Sequence, residues 1–380
     1  MWCGWASKQP HRKTLASRLF GVFRPLSPVI HPSSTAARRE LVSIQLLRAL
    51  GSILVLLAHL QIKERQYGDS TALIWQGFGI GAIGVDIFFV LSGFIIFHVA
   101  GDIPSTWKAA STFMKHRFIR VVPLYWSLTA VALGVFLSHP ELVNKSSSKP
   151  TDIVASFLLL PTDDKLLIQN GWTLSYELLF YFAFFLSILL LPASRRVYFA
   201  LAAAVVAVLW GWIGTPTTVL GRFATDDLML EFAFGVAIGA LHSSAQQQSL
   251  FRPGPGLACA LLATALIIWQ GSFRVELPFV RGLRWGIPAA LLLYAALSLE
   301  TQLEKLRRLK ILGDSSYSLY LLHPLTLPAV GMVWRKIGFG GALGNVVLLL
   351  VLFVSSIYAS ILLYRHFEAP LTSFLRRRFR

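Results

Sequence analysis

From residue 41 onward the chain alternates between long apolar runs and short polar or basic breaks. A membrane-crossing helix needs about 20 mostly apolar residues. Ten runs meet or approach that length: 41–60, 80–100, 121–138, 173–191, 197–214, 226–242, 257–272, 283–299, 314–333 and 342–366. Several are short or carry a polar residue, so the count is good to one or two. The run 153–160 is too short to span and reads as an interfacial or re-entrant piece. The pattern predicts an all-α integral membrane protein of about ten transmembrane helices.

Composition narrows the class. Of 380 residues, 55% are hydrophobic and 14% charged, against about 25% charged in a soluble domain. That excludes a soluble globular enzyme and a disordered chain. Cys3 and Cys259 are too few for a disulfide framework, and without a C-x-x-C no zinc site is signalled. No metal site and no nucleic-acid partner are expected.

Charge sets the orientation. Lys and Arg number 35 against 18 Asp and Glu, a net charge of +17. With the N-terminus inside, basic residues in the inner segments outnumber those outside by about two to one, which predicts cytoplasmic N- and C-termini. Trp75, Trp107, Trp172, Trp285 and Trp334 fall near span ends, as an aromatic belt requires. Residues 1–40 form a basic, flexible N-terminal extension with no acid before Glu40 and no long apolar h-region, so they are not a secretory signal. Residues 41–372 are the membrane domain, and 373–380 a basic cytoplasmic tail. The longest outer loop, 139–172, holds a formal glycosylation sequon at Asn144-Lys145-Ser146.

Ionisable residues inside spans are costly and mark a site by default. Arg48 and His59 share the first span. Eleven residues are about three helical turns, which puts both on one face roughly 16 Å apart. Arg48 alone is read equally well as a snorkelling arginine. Gly79, Gly81 and Gly84 match a dinucleotide fingerprint, but no strand precedes them, so close helix packing explains them better. Asp86 follows and needs a partner. His59 and Arg48 are the candidates, since a carboxylate beside an imidazole orients it.

Arg117 and Arg120 share a helix face near the inner surface, where paired guanidinium forks suit a phosphorylated molecule. The competing reading is ordinary positive-inside arginines. Glu177 is a lone glutamate among Leu, Phe and Tyr. Glu231 is similar, above a Gly235-x-x-x-Gly239 packing seam. In the ninth span Asp314 reads as an N-cap, Pro324 frees a backbone carbonyl, and His323 reads more readily as a packed polar contact than as a catalyst.

Together these residues resemble the membrane-bound acyltransferase-3 family, particularly its exopolysaccharide-modifying branch. The resemblance is carried by Arg48-x10-His59, by Gly84-Val85-Asp86-Ile87-Phe88-Phe89-Val90-Leu91-Ser92-Gly93-Phe94, and by Arg117-x-x-Arg120. The blocks Trp172-Thr173-Leu174-Ser175-Tyr176-Glu177, Tyr317-Ser318-Leu319-Tyr320-Leu321-Leu322-His323 and Phe367-Glu368-Ala369-Pro370 complete it. It covers about 41–372 and implies a ten-helix enzyme of the bacterial inner membrane. Such an enzyme moves an acyl group, usually acetyl from acetyl-CoA, to a hydroxyl of a cell-envelope carbohydrate.

On that reading His59 is the general base and Asp86 or Glu177 orients it. Arg48, Arg117 and Arg120 hold the acyl donor, while Ser175, Tyr176 and His323 are candidates to line the site. The partners are acyl-CoA, used as a substrate with no bound cofactor, a carbohydrate acceptor that is free or lipid-linked, and membrane lipid. Oligomeric state stays open. The alternative is a transporter or flippase for a lipid-linked sugar, since intramembrane charges also mark transport pathways.

Overall fold

The structure, a computed structural model, describes residues 40–74, 78–143, 149–244, 248–273 and 281–379. The basic extension up to residue 39, Trp75 and the sequon lie outside the described residues.

Every predicted run falls on a helix. They are α1 (Val42–Tyr67), α2 (Ile83–Ala100), α3 (Trp107–Ser138), α4 (Gly171–Leu190) and α5 (Ala193–Gly214). Then follow α6 (Met229–Ser243), α7 (Pro253–Phe273), α8 (Gly286–Ser298), α9 (Ser316–Ile337) and α10 (Gly341–Leu363). A π-helical turn, Tyr364–Glu368, leads into α11 (Ala369–Arg378). The expected tail at 373–380 is thus helical through Arg378. Among the described residues the only β pairing is an isolated bridge between Thr151 and Lys165.

Seven helical segments are long and apolar enough to cross a membrane. An eighth arises if Arg281–Ser298 and Glu300–Asp314, bent by 72°, count as one span. The expected ten is not reached on length and apolarity. α6 has 15 residues, about 22 Å at 1.5 Å per residue, against a hydrocarbon core of about 30 Å. α9 is long enough, but Pro324, Pro328, His323, Arg335 and Lys336 lower its apolarity. The run at 153–160 is a short helix, Ile153–Leu158, capped by Asp152 accepting from Ala155 N at 2.8 Å. Asp314 is no N-cap. It ends a short helical turn and pairs with Lys310 at 3.4 Å, while Ser315 takes the cap position of α9.

Small residues bring the helices together. A Cβ on Gly93 would strike the Phe232 carbonyl, and one on Gly235 the Val90 carbonyl, so α2 and α6 cross backbone to backbone. Gly84 meets the Gly51 carbonyl in the same way where α2 crosses α1, whereas Gly79 faces open space. α5 and α7 leave Trp210, Ile213, Leu257 and Leu261 exposed. Lipid solvates such a face as well as a protein neighbour does.

Candidate active site

A cavity of about 240 Å³ lies among α1, α2, α3, α4, α9 and α11. Four arginines reach it: Arg48 from α1, Arg117 and Arg120 from α3, and Arg376 from α11. The acids are less free than the bases. Glu368 accepts from Arg120 Nη1 at 2.6 Å and from Ser318 Oγ at 2.6 Å. Arg120 also lies over the Tyr317 ring, 5.5 Å from its centroid. Glu177 accepts from Ser92 at 3.0 Å and from Tyr181. By contrast, Arg117 Nε is buried with no partner, and among the described residues no acid pairs with Arg48 or Arg117. Two guanidinium groups therefore face the cavity with no described carboxylate in pairing distance, an arrangement that suits an anion.

Helical phase decides which predicted residues arrive. Thr173, Leu174, Glu177 and Tyr181 share the face of α4 that lines the cavity. Ser175 and Tyr176 do not. Tyr176 donates to Asp226 at 2.9 Å and stacks on Phe223 at 4.4 Å, and Ser175 reaches back to the Gly171 carbonyl at 3.5 Å. They fall between the positions of the lining stripe, so the expectation that they line the site is corrected to Thr173, Leu174 and Tyr181.

His59 and His323 also lie off the cavity wall, and they lie together. Their rings meet edge to face with centroids 4.7 Å apart. A short polar chain joins them to the cavity. Thr173, on its wall, shares a 2.8 Å hydrogen bond with the Tyr320 hydroxyl. Pro324 has no N–H for the carbonyl four residues earlier, which is that of Tyr320. Asn170 Nδ2 donates to this freed carbonyl at 3.0 Å and lies 3.4 Å from His323 Nε2.

The histidine tautomers follow from their partners. His59 Nδ1 is 2.8 Å from the Val55 carbonyl, and His323 Nδ1 is 2.9 Å from that of Leu319. A carbonyl only accepts, so each neutral ring carries its hydrogen on Nδ1. Nε2 is then the basic nitrogen. That of His323 is taken by Asn170, while no described residue occupies that of His59.

Asp86 does not serve His59. Its carboxylate, fully buried, receives Arg281 Nε at 3.2 Å and Nη2 at 3.4 Å. Arg281 also lies over Trp172, 5.7 Å from the ring centroid, and buried Glu231 lies close by. The reason is again phase. Val85, Phe88, Phe89 and Ser92 turn one side of α2 to the cavity, and Asp86 turns to the other. Nor does Glu177 contact His59; its partners are Ser92 and Tyr181.

Comparison with known proteins bears on this arrangement. A family model described as an acyltransferase domain matches residues 41–365. The chain belongs to the acyltransferase-3 family. It is 33% identical over 274 residues to exopolysaccharide production protein ExoZ of Rhizobium meliloti (strain 1021), covering 69% of this chain and 82% of that one. It is 28% identical over 272 residues to acyltransferase MdmB of Streptomyces mycarofaciens, covering 64% and 67%. To peptidoglycan O-acetyltransferase OatA of Listeria monocytogenes serovar 1/2a it is 28% identical over 154 residues, 39% of this chain and 20% of that one. No solved structure matches. As an acyltransferase-3 protein the chain is an integral membrane enzyme that transfers acyl groups other than aminoacyl groups.

The structure adds residues that sequence reading missed. Glu368 belongs to a segment that carried the family resemblance, yet its role as partner of Arg120 depends on a contact 248 positions away. Asn170 precedes the Trp172–Glu177 block and carries no charge to draw notice. Arg281 lies outside every block that carries the resemblance. Arg376 falls in the stretch that reads as a basic tail.

Proposed function

We propose that the protein takes an acetyl group from acetyl-CoA and places it on a hydroxyl of a cell-envelope or exopolysaccharide carbohydrate at the bacterial inner membrane. The names of the relatives ExoZ and OatA support a polysaccharide acceptor. Family membership leaves the transporter reading without support. The observation that carries the proposal is the polar line from unpaired arginines to a histidine with an open Nε2. The first gives a handle for phosphate, the second a base, and the gap between them suits the long arm of a phosphorylated thioester.

The topology belongs to the same proposal. Ten spans with both termini cytoplasmic put the arginine end toward the cytosol, where acyl-CoA is found, and His59 toward the outer side. Residues 1–40 are then a cytoplasmic basic arm and 41–372 the catalytic membrane domain.

Arg48, Arg117 and Arg120 hold the donor phosphates, with Arg120 pre-set by Glu368. The acceptor hydroxyl sits at His59 Nε2. That nitrogen takes the hydroxyl proton as the oxygen attacks the thioester carbonyl. A C–O bond forms, the C–S bond breaks, and the CoA thiolate leaves and takes the proton back from the imidazole. The Val55 carbonyl holds His59 in the required tautomer, the orienting role expected of Asp86 or Glu177. His323, fixed by Asn170 and the Leu319 carbonyl, packs against the ring and limits its rotation.

A positioned base contributes typically 10²–10⁴-fold. His59→Ala is expected to lose transfer from labelled acetyl-CoA by about that factor while inserting and melting like the wild type. A His59→Ala enzyme that inserts normally and transfers at the wild-type rate overturns the base assignment. A wild-type enzyme that consumes no acetyl-CoA with any polysaccharide acceptor overturns the donor assignment.

A further inference from the structure

We propose that α11 is a working wall of the donor site and that Arg376 is a donor-binding residue, recognising a phosphate of the acyl carrier. The inference rests on the donor reading above and extends it past residue 365, where the family match ends.

Placement comes first. Arg376, Arg377 and Arg378 are consecutive in the last turn of α11, and only Arg376 borders the cavity. Successive helix residues point about 100° apart, so Arg377 and Arg378 face away. α11 is tied down at both ends. At its root Glu368 is buried and bound to Arg120 and Ser318. At its far end Lys115 of α3 donates to the Phe379 carbonyl. The helix is therefore clasped to α3, the helix that supplies the other arginine pair.

Charge comes second. Four guanidinium groups converge on the cavity, and the carboxylates that reach it or brace it are Glu177 and Glu368. Glu368 is spent on Arg120, and Glu177 is engaged by two hydroxyls. Asp314 also acts on Arg48, but it is shared with Lys310, so positive charge stays in excess at the cavity, around a buried, unpartnered Arg117 Nε. Like charges at close range repel, and an anion of charge two or more relieves that. A phosphate monoester or diphosphate has the required charge and the oxygen geometry for guanidinium forks. Arg376 is the most exposed of the four, so it meets the anion at the mouth, while Arg117 and Arg48 meet it deeper inside.

The test uses the full-length protein in detergent or nanodiscs. Steady-state kinetics compare acetyl-CoA with S-acetylpantetheine, which carries the thioester arm without phosphate. Arg376→Ala is expected to raise the KM for acetyl-CoA about tenfold, the lower end for a charged hydrogen bond at an exposed position. It should leave kcat and the KM for S-acetylpantetheine unchanged, and Arg376→Lys should recover part of the loss. Arg377→Ala removes the same charge from the same helix and should match the wild type on both donors. Equal acetyl-CoA KM values for Arg376→Ala and Arg377→Ala overturn the proposal, as does a loss that is the same for both donors. If the wild type turns over neither donor, the acetyl-CoA reading itself falls, an outcome distinct from either of these.

Discussion

Arg196 and the cavity arginines are all cations among apolar helices, and the protein treats them in opposite ways. Arg196, near the start of α5, is fully buried, and among the described residues no carboxylate hydrogen-bonds to it; Asp102 acts on it only at longer range. Backbone oxygens take its place. Nη1 donates to the carbonyls of Ala100 at 3.0 Å and Ile103 at 2.6 Å, Nη2 to Ser105 Oγ at 2.9 Å, and Nε to the Leu191 carbonyl at 3.3 Å. Ala100 ends α2 and Leu191 follows α4, so the guanidinium satisfies the orphan carbonyls that every helix end leaves. Arg117 and Arg48 have no such cage. In a medium without water, a sated cation is a fastener and an unsated one is a receptor.

The largest expected effect tests the fastener. Arg196→Ala strands several carbonyls at two helix ends, and hydrogen bonds to a charged group are worth about 1.5–3 kcal/mol each. The variant should lose about 3 kcal/mol or more of stability, read as a lower melting temperature in detergent. The protein that remains folded should keep its KM for acetyl-CoA. An unchanged melting curve breaks the comparison from the structural side.

The receptor side is tested by Arg48→Ala and Arg117→Ala. Neither removes an ion pair, so melting should be preserved. The kcat/KM for acetyl-CoA should fall by roughly 10- to 100-fold per arginine. Variants that melt early and keep their kinetics would mean these arginines are fasteners too.

Asn170 sharpens the contrast with the smallest change. Its amide serves both purposes, sating the carbonyl freed by Pro324 and holding His323. Asn170→Ala should cost about 1–2 kcal/mol of stability and lower kcat less than His59→Ala does. The KM for acetyl-CoA should stay unchanged. A shift in that KM instead would place Asn170 with the donor rather than with the histidines.

What was legible in the sequence follows the range of the forces involved. The helices were readable because apolarity is local, and all ten runs fall on helices. The spacing of Arg48 and His59 was readable because both sit on one helix. Pairings were not. Asp86 finds Arg281 195 positions away, and Arg120 finds Glu368, because burial of a charge is settled by whichever distant helix packs alongside. The face of α4 was misjudged at Ser175 and Tyr176 for a related reason. An all-round apolar helix shows no stripe in its sequence, so only its neighbours reveal which side meets the site.

The π turn at Tyr364–Glu368 makes the length of this segment a functional property in its own right. A π turn holds one residue more than an α turn and often marks a functional site. Carried as an ordinary α repeat, the extra residue would turn everything after it by about 100°; the wide turn takes it up instead. Were the segment to tighten to the α repeat without losing a residue, Glu368 would turn from Arg120 and Arg376 from the cavity mouth in one event, with no side chain chemically altered. The extra residue is a phase key: the winding of five backbone residues sets the register of both side chains, so the site depends on chain length here as much as on side-chain identity.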